Sequence, residues 1–124
     1  MRHIEQWHRR GARLGICVAL PLAFVIAMLP DQPGPQFSQA DKVIHAGVFL
    51  VFALLAHRGW PQRGAWHGWP LWLLAYGAAI ELAQWLLPWR DASVLDGLAD
   101  AAGIAFGVLL VARERRLGRR AAAQ

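Results

Sequence analysis

The side chains that could do chemistry lie within apolar segments of this chain. Glu81, Asp96 and Asp100 fall in or beside runs apolar enough for membrane helices, and His45 falls in an earlier run. Charge at membrane depth is energetically expensive, so an ionisable residue there indicates a functional site with a nearby partner. A carboxylate beside an imidazole could exchange protons with a substrate or hold a polar ligand. Either role requires helices that bring these side chains together.

Composition indicates a membrane protein. The chain has 124 residues, of which 56% are hydrophobic and only 17% charged, and its length fits one domain. Several of the seven Trp cluster between apolar runs, as amphipathic rings do at membrane interfaces. The net charge of +5 does not indicate nucleic-acid binding, because the basic residues flank apolar segments instead of forming one continuous surface.

Turn and cap signals divide the chain into helices. Pro88 ends one apolar run, and Ser38 with Asp41 and Ser93 with Asp96 have the spacing of capping boxes. The basic segment after residue 112 is expected to be a solvated, partly disordered tail. The sequence therefore predicts an all-α transmembrane bundle, one domain over 1–124, with four helices at about 14–30, 39–57, 69–87 and 93–112. The second helix is expected to be the weakest span, because its uncharged part is short.

The basic residues predict the orientation of the bundle. Of the thirteen Lys and Arg, only Lys42 and Arg90 lie at the ends of the predicted helices that are distant from both termini. The other eleven precede the first helix, connect the second to the third, or follow the fourth. By the positive-inside rule, both termini are expected to be cytoplasmic.

The predicted helices place three ionisable residues at one depth. His45, Glu81 and Asp100 each lie seven residues from a predicted outer helix end, or about 10 Å below the outer surface. On the fourth helix, polar residues and glycines follow one stripe: Ser93, Asp96, Asp100, Gly103 and Gly107. Gly103 and Gly107 have the G-x-x-x-G spacing that permits close helix packing, so the stripe is expected to face the bundle.

These positions predict an outward-facing polar pocket. Its expected ligand-binding residues are Asp41, Lys42, His45, Glu81, Gln84, Arg90, Ser93, Asp96 and Asp100. His45, Glu81 and Asp100 are the catalytic candidates, although the same residues could serve only as interhelical hydrogen bonds. No H-E-x-x-H or E-x-x-H signature ties the metal-ligand types together, so no metal or other cofactor is expected. Ser93 is expected to cap its helix in preference to acting as a nucleophile.

The same residues resemble a known family, the VanZ-like membrane proteins. The resemblance rests on three pieces: Asp41-Lys42-x-x-His45, Glu81-x-x-Gln84, and Arg90 followed by Ser93, Asp96, Asp100, Gly103 and Gly107. It covers about residues 38–112, the last three helices. Asp100 departs from the family pattern, which typically has Asn there, and this difference matters because a carboxyl group can titrate and an amide cannot.

The resemblance implies a multi-pass protein of the bacterial inner membrane. Its expected partners are membrane lipids and a lipid-linked or cell-wall precursor, with no nucleic acid. The expected function is to bind or modify an envelope or lipid head group, with a link to tolerance of the glycopeptide teicoplanin, for which the family is named. Whether the protein is an enzyme stays open. The alternative is a non-catalytic accessory subunit that packs against another membrane protein.

Overall fold

The fold is an all-α bundle, as predicted. A computed structural model describes residues 2–30, 38–61, 68–90 and 92–123, and no strand occurs among them. The helices in this part of the chain are α1 (Arg2–Met28), α2 (Ser38–Gly59), α3 (Trp69–Trp85) and α4 (Val94–Ala122).

Two predicted helix ends are wrong by ten residues or more. Helix α1 begins at Arg2 instead of near residue 14, and α4 continues to Ala122, so the predicted solvated tail is helical. Both extensions are rich in Arg, which has a high helix propensity. An apolar run in the sequence predicts only the part of a helix that can cross the hydrocarbon. Helices α1 and α4 are longer than their apolar runs.

Three of the described helices are long and apolar enough to cross a membrane, namely α1, α2 and α4. The chain is therefore a membrane protein. The expectation that α2 is the weakest span is wrong, because α3 is the short helix. Its 17 residues extend about 25 Å, against roughly 30 Å for a typical hydrocarbon core. Helix α3 ends at Trp85, before Pro88, where Leu86 and Leu87 form turns with backbone bonds to Ala83 and Gln84.

The contacts between helices define their directions. Helices α2 and α4 run parallel, because His45 meets Asp100 near their starts and Ala53 meets Gly107 further along. At the opposite end, the Arg13 Nε donates a 2.8 Å hydrogen bond to the Gly59 carbonyl. An Arg115 guanidinium N–H donates at 3.2 Å to the Pro61 carbonyl. This end, called the basic end below, holds the start of α1 and the last turns of α4.

Two glycines set the packing of α4 on α2. A Cβ at Gly103 would collide with the Ala46 carbonyl oxygen, and a Cβ at Gly107 would lie 2.6 Å from the Ala53 Cβ. The buried residues of α4 follow the predicted stripe: Asp96, Asp100, Gly103, Ile104, Gly107 and Val111. The stripe faces the bundle because its glycines let α2 approach at backbone distance.

Side chains near the end of α3 hold the last turn of α1. The Gln84 Nε2 donates to the Ala27 carbonyl at 3.1 Å, the Trp89 Nε1 donates to Met28 at 3.1 Å, and an Arg90 N–H donates to Leu29 at 3.4 Å. The last carbonyls of a helix lack intrahelical donors, so these bonds satisfy groups that need partners. They fix α1 against α3 at the end of the bundle opposite the basic end.

Candidate functional site

The centre of the site is a buried contact between α2 and α4. The His45 Nδ1 lies 2.9 Å from the Asp100 Oδ1, and the Asp100 side chain is 2% exposed. The contact depends on Gly103, because the close approach of Ala46 to that glycine brings the neighbouring His45 to the level of Asp100. When Asp100 is ionised, the Nδ1 donates the hydrogen bond and the imidazole keeps Nε2 as its second functional nitrogen.

Glu81 of α3 completes the layer that the sequence predicts. One side-chain ligand atom from each of His45, Glu81 and Asp100 lies within 4.8 Å of the other two. Glu81 is closer to its helix end than predicted, because α3 stops at Trp85, four residues later and about 6 Å away. The three helices therefore bring their ionisable groups together. Of the three residues, Glu81 is the fewest residues from the end of its own helix.

Glu81 also anchors the start of α4. Its Oε2 accepts a 2.8 Å hydrogen bond from the Ser93 backbone N–H. Ser93 is the N-cap residue of α4, but its side chain makes no capping hydrogen bond, so the predicted Ser93–Asp96 capping box is wrong. The Asp96 carboxylate forms an ion pair with Lys42 instead of bonding to the Ser93 N–H. The possible cap at Ser38 involves a side chain outside those that the structure describes.

Lys42 and Asp96 form a second α2–α4 pair, one turn closer to the helix starts than His45 and Asp100. The Lys42 Nζ lies 3.7 Å from the Asp96 Oδ1, and the Lys42 side chain is 32% exposed. An ion pair at this distance and exposure contributes about 0–1 kcal/mol. Its main effect is on register, since both pairs are made only when α2 and α4 are correctly aligned.

A cavity of about 430 Å³ lies on the other side of His45, between α1, α2 and α3. Its polar lining is Asp41, His45, Gln84 and Arg90. The rest of the lining is apolar and comes from Ala23, Ile26, Ala27, Leu29, Pro30, Ile44, Val48, Phe49 and Ile80. Ile26 and Ile44 are both exposed, so the cavity reaches the surface of the bundle.

The predicted pocket residues therefore divide into two sets. Asp41, Gln84 and Arg90 line the cavity, whereas Lys42, Glu81, Ser93, Asp96 and Asp100 lie towards α4. His45 belongs to both sets, because it lines the cavity and contacts Asp100. The site thus consists of a cavity backed by a buried ionisable layer, with one imidazole connecting them.

Helix α1 contributes residues that the sequence analysis missed. Ala23 and Ala27 line the cavity, and Ala19 packs on the same side of the bundle. Charged residues are what mark the candidate site in the sequence, and the apolar part of α1 has none. A usable signal was present, since small residues at positions 19, 23 and 27 repeat every fourth residue, a spacing typical of helix–helix contact in membranes.

The arrangement combines an imidazole–carboxylate pair with an adjoining cavity. Asp100 can orient the imidazole through Nδ1, which leaves Nε2 of neutral His45 as a base or hydrogen-bond acceptor. Arg90 and Asp41 add one charge of each sign to the cavity wall. The chain matches no protein-family model, no curated protein and no solved structure.

Proposed function

We propose that this protein binds the polar head group of a lipid-like envelope ligand in the cavity between α1, α2 and α3. The observation that carries the proposal is the distribution of polarity in the cavity. Its charged groups, Asp41 and Arg90, belong to the first turn of α2 and to the segment after α3, whereas Val48 and Phe49 lie deeper along α2.

Distances along α2 give the shape of the ligand. Asp41 is three residues and Val48 ten residues from Ser38, or about 5 Å and 15 Å along the helix axis. A ligand that fills the cavity therefore has a polar group at the membrane surface and an apolar part that extends about 10 Å inwards. The volume of about 430 Å³ is within the range of small-molecule sites.

The charges define the chemical class of the head group. The Arg90 guanidinium suits a phosphate or carboxylate, which it can bind through two N–H donors. The Asp41 carboxylate suits an ammonium or hydroxyl group. The Gln84 side-chain amide lines the same cavity. The best fit is a phosphate that carries an amine or sugar hydroxyl, as in a phospholipid or a lipid-linked precursor.

Orientation and location are part of the proposal. The basic end is expected to be cytoplasmic by the positive-inside rule, so the cavity faces outwards. The resemblance to VanZ-like proteins supports the bacterial inner membrane and, within it, a role in the cell envelope and in tolerance of teicoplanin. Proton exchange at His45 would extend binding to modification of the head group.

Analysis of the ligand that co-purifies with the protein tests the proposal. We expect mass spectrometry of the purified protein to find a phosphate-bearing lipid. Arg90→Ala should weaken its retention by about 10–100-fold, the value of one charge-assisted hydrogen-bonded pair of roughly 1.5–3 kcal/mol. Arg58→Ala is the matched control, because Arg58 is an exposed residue in the last turn of α2, at the basic end.

The lipids retained by the two variants decide between the outcomes. Selective loss of one phosphate-bearing species in Arg90→Ala, with Arg58→Ala like the unaltered protein, supports binding in the cavity. An identical lipid complement in all three proteins contradicts it, provided that the variants elute as folded monodisperse particles.

A second candidate is the accessory subunit. A larger groove of about 860 Å³ lies between α3 and α4, with mainly apolar walls and with Arg115, Arg116 and Arg119 at one end. A transmembrane helix with acidic residues at its cytoplasmic end would complement this surface. Co-purification of a stoichiometric membrane protein with both variants, in place of a lipid, would favour this reading.

A further inference from the structure

The layer behind the cavity has the composition of a metal site. One imidazole nitrogen and two carboxylate oxygens, from His45, Glu81 and Asp100, lie within 4.8 Å of one another on three different helices. From the sequence no metal is expected, because ligands from three helices leave no short motif. Their juxtaposition is visible only after the helices pack.

Two carboxylate oxygens in this layer lack hydrogen-bond partners. The Asp100 Oδ2 and the Glu81 Oε1 are both buried, and neither has a partner among the described residues. The Asp100 Oδ2 faces α3, because it would lie 3.0 Å from a Cβ built on Gly77. Gly77 is one turn from Glu81 on the same side of α3, so the unpaired oxygen points towards the helix face that carries Glu81. A buried carboxylate oxygen without a partner is energetically costly and calls for a ligand.

Carboxylates outnumber cationic side chains around the layer. At this end of the described chain, the carboxylates are Asp41, Glu81, Asp96 and Asp100, and the cationic side chains are Lys42 and Arg90. Four carboxylates against two cations leave a formal charge of −2 when His45 is neutral. In surroundings of low dielectric constant, a divalent cation would neutralise this excess at one point.

We propose that His45, Glu81 and Asp100 bind one divalent transition-metal ion of the zinc type. An imidazole with two carboxylates suits Zn²⁺, Mn²⁺ or Fe²⁺ better than Ca²⁺ or Mg²⁺, which favour oxygen ligands throughout. The 2.9 Å between the His45 Nδ1 and the Asp100 Oδ1 is slightly less than the ~3.4 Å between two ligands of a tetrahedral ion with bonds near 2.1 Å. The ion would replace the proton that these two atoms share.

The proposed ion lies on the α4 side of His45 and does not depend on head-group binding in the cavity. Glu81 and Asp100 do not line that cavity, and the residues that we assign to the head group, Asp41, Gln84 and Arg90, are not among the three ligands. Metal binding and lipid binding can therefore succeed or fail separately.

Titration of the purified full-length protein with Zn²⁺ and Co²⁺ tests this proposal. The protein should carry no polyhistidine tag, and Cys17 should be replaced by Ser in every sample, because a thiol could bind either ion. Calorimetry is expected to give one Zn²⁺ per chain, and Co²⁺ should produce the visible absorption of a bound ion of low coordination number.

Variants of the ligands identify the site. Glu81→Gln and Asp100→Asn should each weaken Zn²⁺ binding by more than about tenfold. Even the loss of a residue that only hydrogen-bonds to a metal ligand usually lowers metal affinity by about that factor. Glu81→Gln retains an oxygen that can accept from the Ser93 N–H, so the start of α4 should persist. Glu114→Gln, at an exposed position near the basic end, is the matched control.

The proposal is overturned if the parent protein binds no Zn²⁺, or if it binds with equal affinity in the control and in folded Glu81→Gln. If Asp100→Asn does not yield folded protein, the comparison of Glu81→Gln with Glu114→Gln decides the result.

Discussion

Gly103→Ala is expected to lower the free energy of unfolding by about 1–3 kcal/mol, the usual effect of overpacking a well-filled contact. The added methyl group would collide with the Ala46 carbonyl oxygen, and a backbone atom cannot move aside as a flexible side chain can. The helices must therefore separate, which also pulls His45 away from Asp100. Unfolding of the purified protein in mixed micelles, as the fraction of denaturing detergent rises, measures the change.

Gly47→Ala is the control for this prediction. Gly47 is on the same helix as Ala46, but a Cβ there would have no neighbour within 4 Å. The change should therefore not destabilise the protein, and Gly to Ala in a helix interior can add up to about 1 kcal/mol. Equal stabilities for the two variants would contradict the packing of α2 on α4 that places the ionisable layer.

His45→Leu is expected to destabilise the protein by about 2–4 kcal/mol. The substitution leaves the Asp100 carboxyl group, which is 2% exposed, without its hydrogen-bond partner, and a stranded buried ionisable group is more costly than the pair itself is stabilising. Asp100→Asn should have the smaller effect, because the Asn Oδ1 can still accept a hydrogen bond from the His45 Nδ1. The same unfolding measurement in mixed micelles compares the two.

The double variant His45→Leu with Asp100→Ala separates structure from function. It is nearly volume-conserving and removes both members of the pair, so the Asp100 carboxyl group is no longer stranded. We expect it to recover at least about 1 kcal/mol relative to His45→Leu. It should fold but retain less of the proposed phosphate-bearing ligand, because His45 lines the cavity. Full ligand retention in this variant would mean that the pair only holds helices together.

Much of the fold follows from local patterns in the sequence. Apolar runs and Pro88 mark the four helices, and the α4 stripe from Asp96 through Gly107 is buried as its spacing indicates. The common layer of His45, Glu81 and Asp100 could be predicted because three helix ends, counted in residues, give three similar depths. The predicted depth of Glu81 is wrong, because α3 ends at Trp85 and not at Pro88.

The division of the site could not be predicted, because it depends on which faces pack together. Residue spacing places Asp96 and Asp100 on one stripe, but only the parallel packing of α2 and α4 pairs them with Lys42 and His45. The cavity depends on α1, whose lining residues carry no charge and are indicated only by the spacing of the small residues at positions 19, 23 and 27. The capping box at Ser93 failed because a side chain from another helix, Glu81, reached that backbone N–H.

Accessibility of single cysteines tests most directly the proposal that the cavity faces outwards. In a Cys17→Ser background, Val48→Cys and Val43→Cys are labelled in intact cells with a membrane-impermeant thiol reagent added from outside. Val43 is nearer the start of α2 and 72% exposed, but it does not line the cavity, whereas the deeper Val48 does. A thiol must form a thiolate in contact with water to react, and a lipid-facing thiol does not.

We predict that Val48→Cys reacts in molecules whose cavity holds no ligand and that Val43→Cys does not, although Val43 lies about 8 Å closer to the Ser38 end of α2. The opposite order, or labelling of Val48→Cys only when the reagent reaches the cytoplasmic side, would contradict the account.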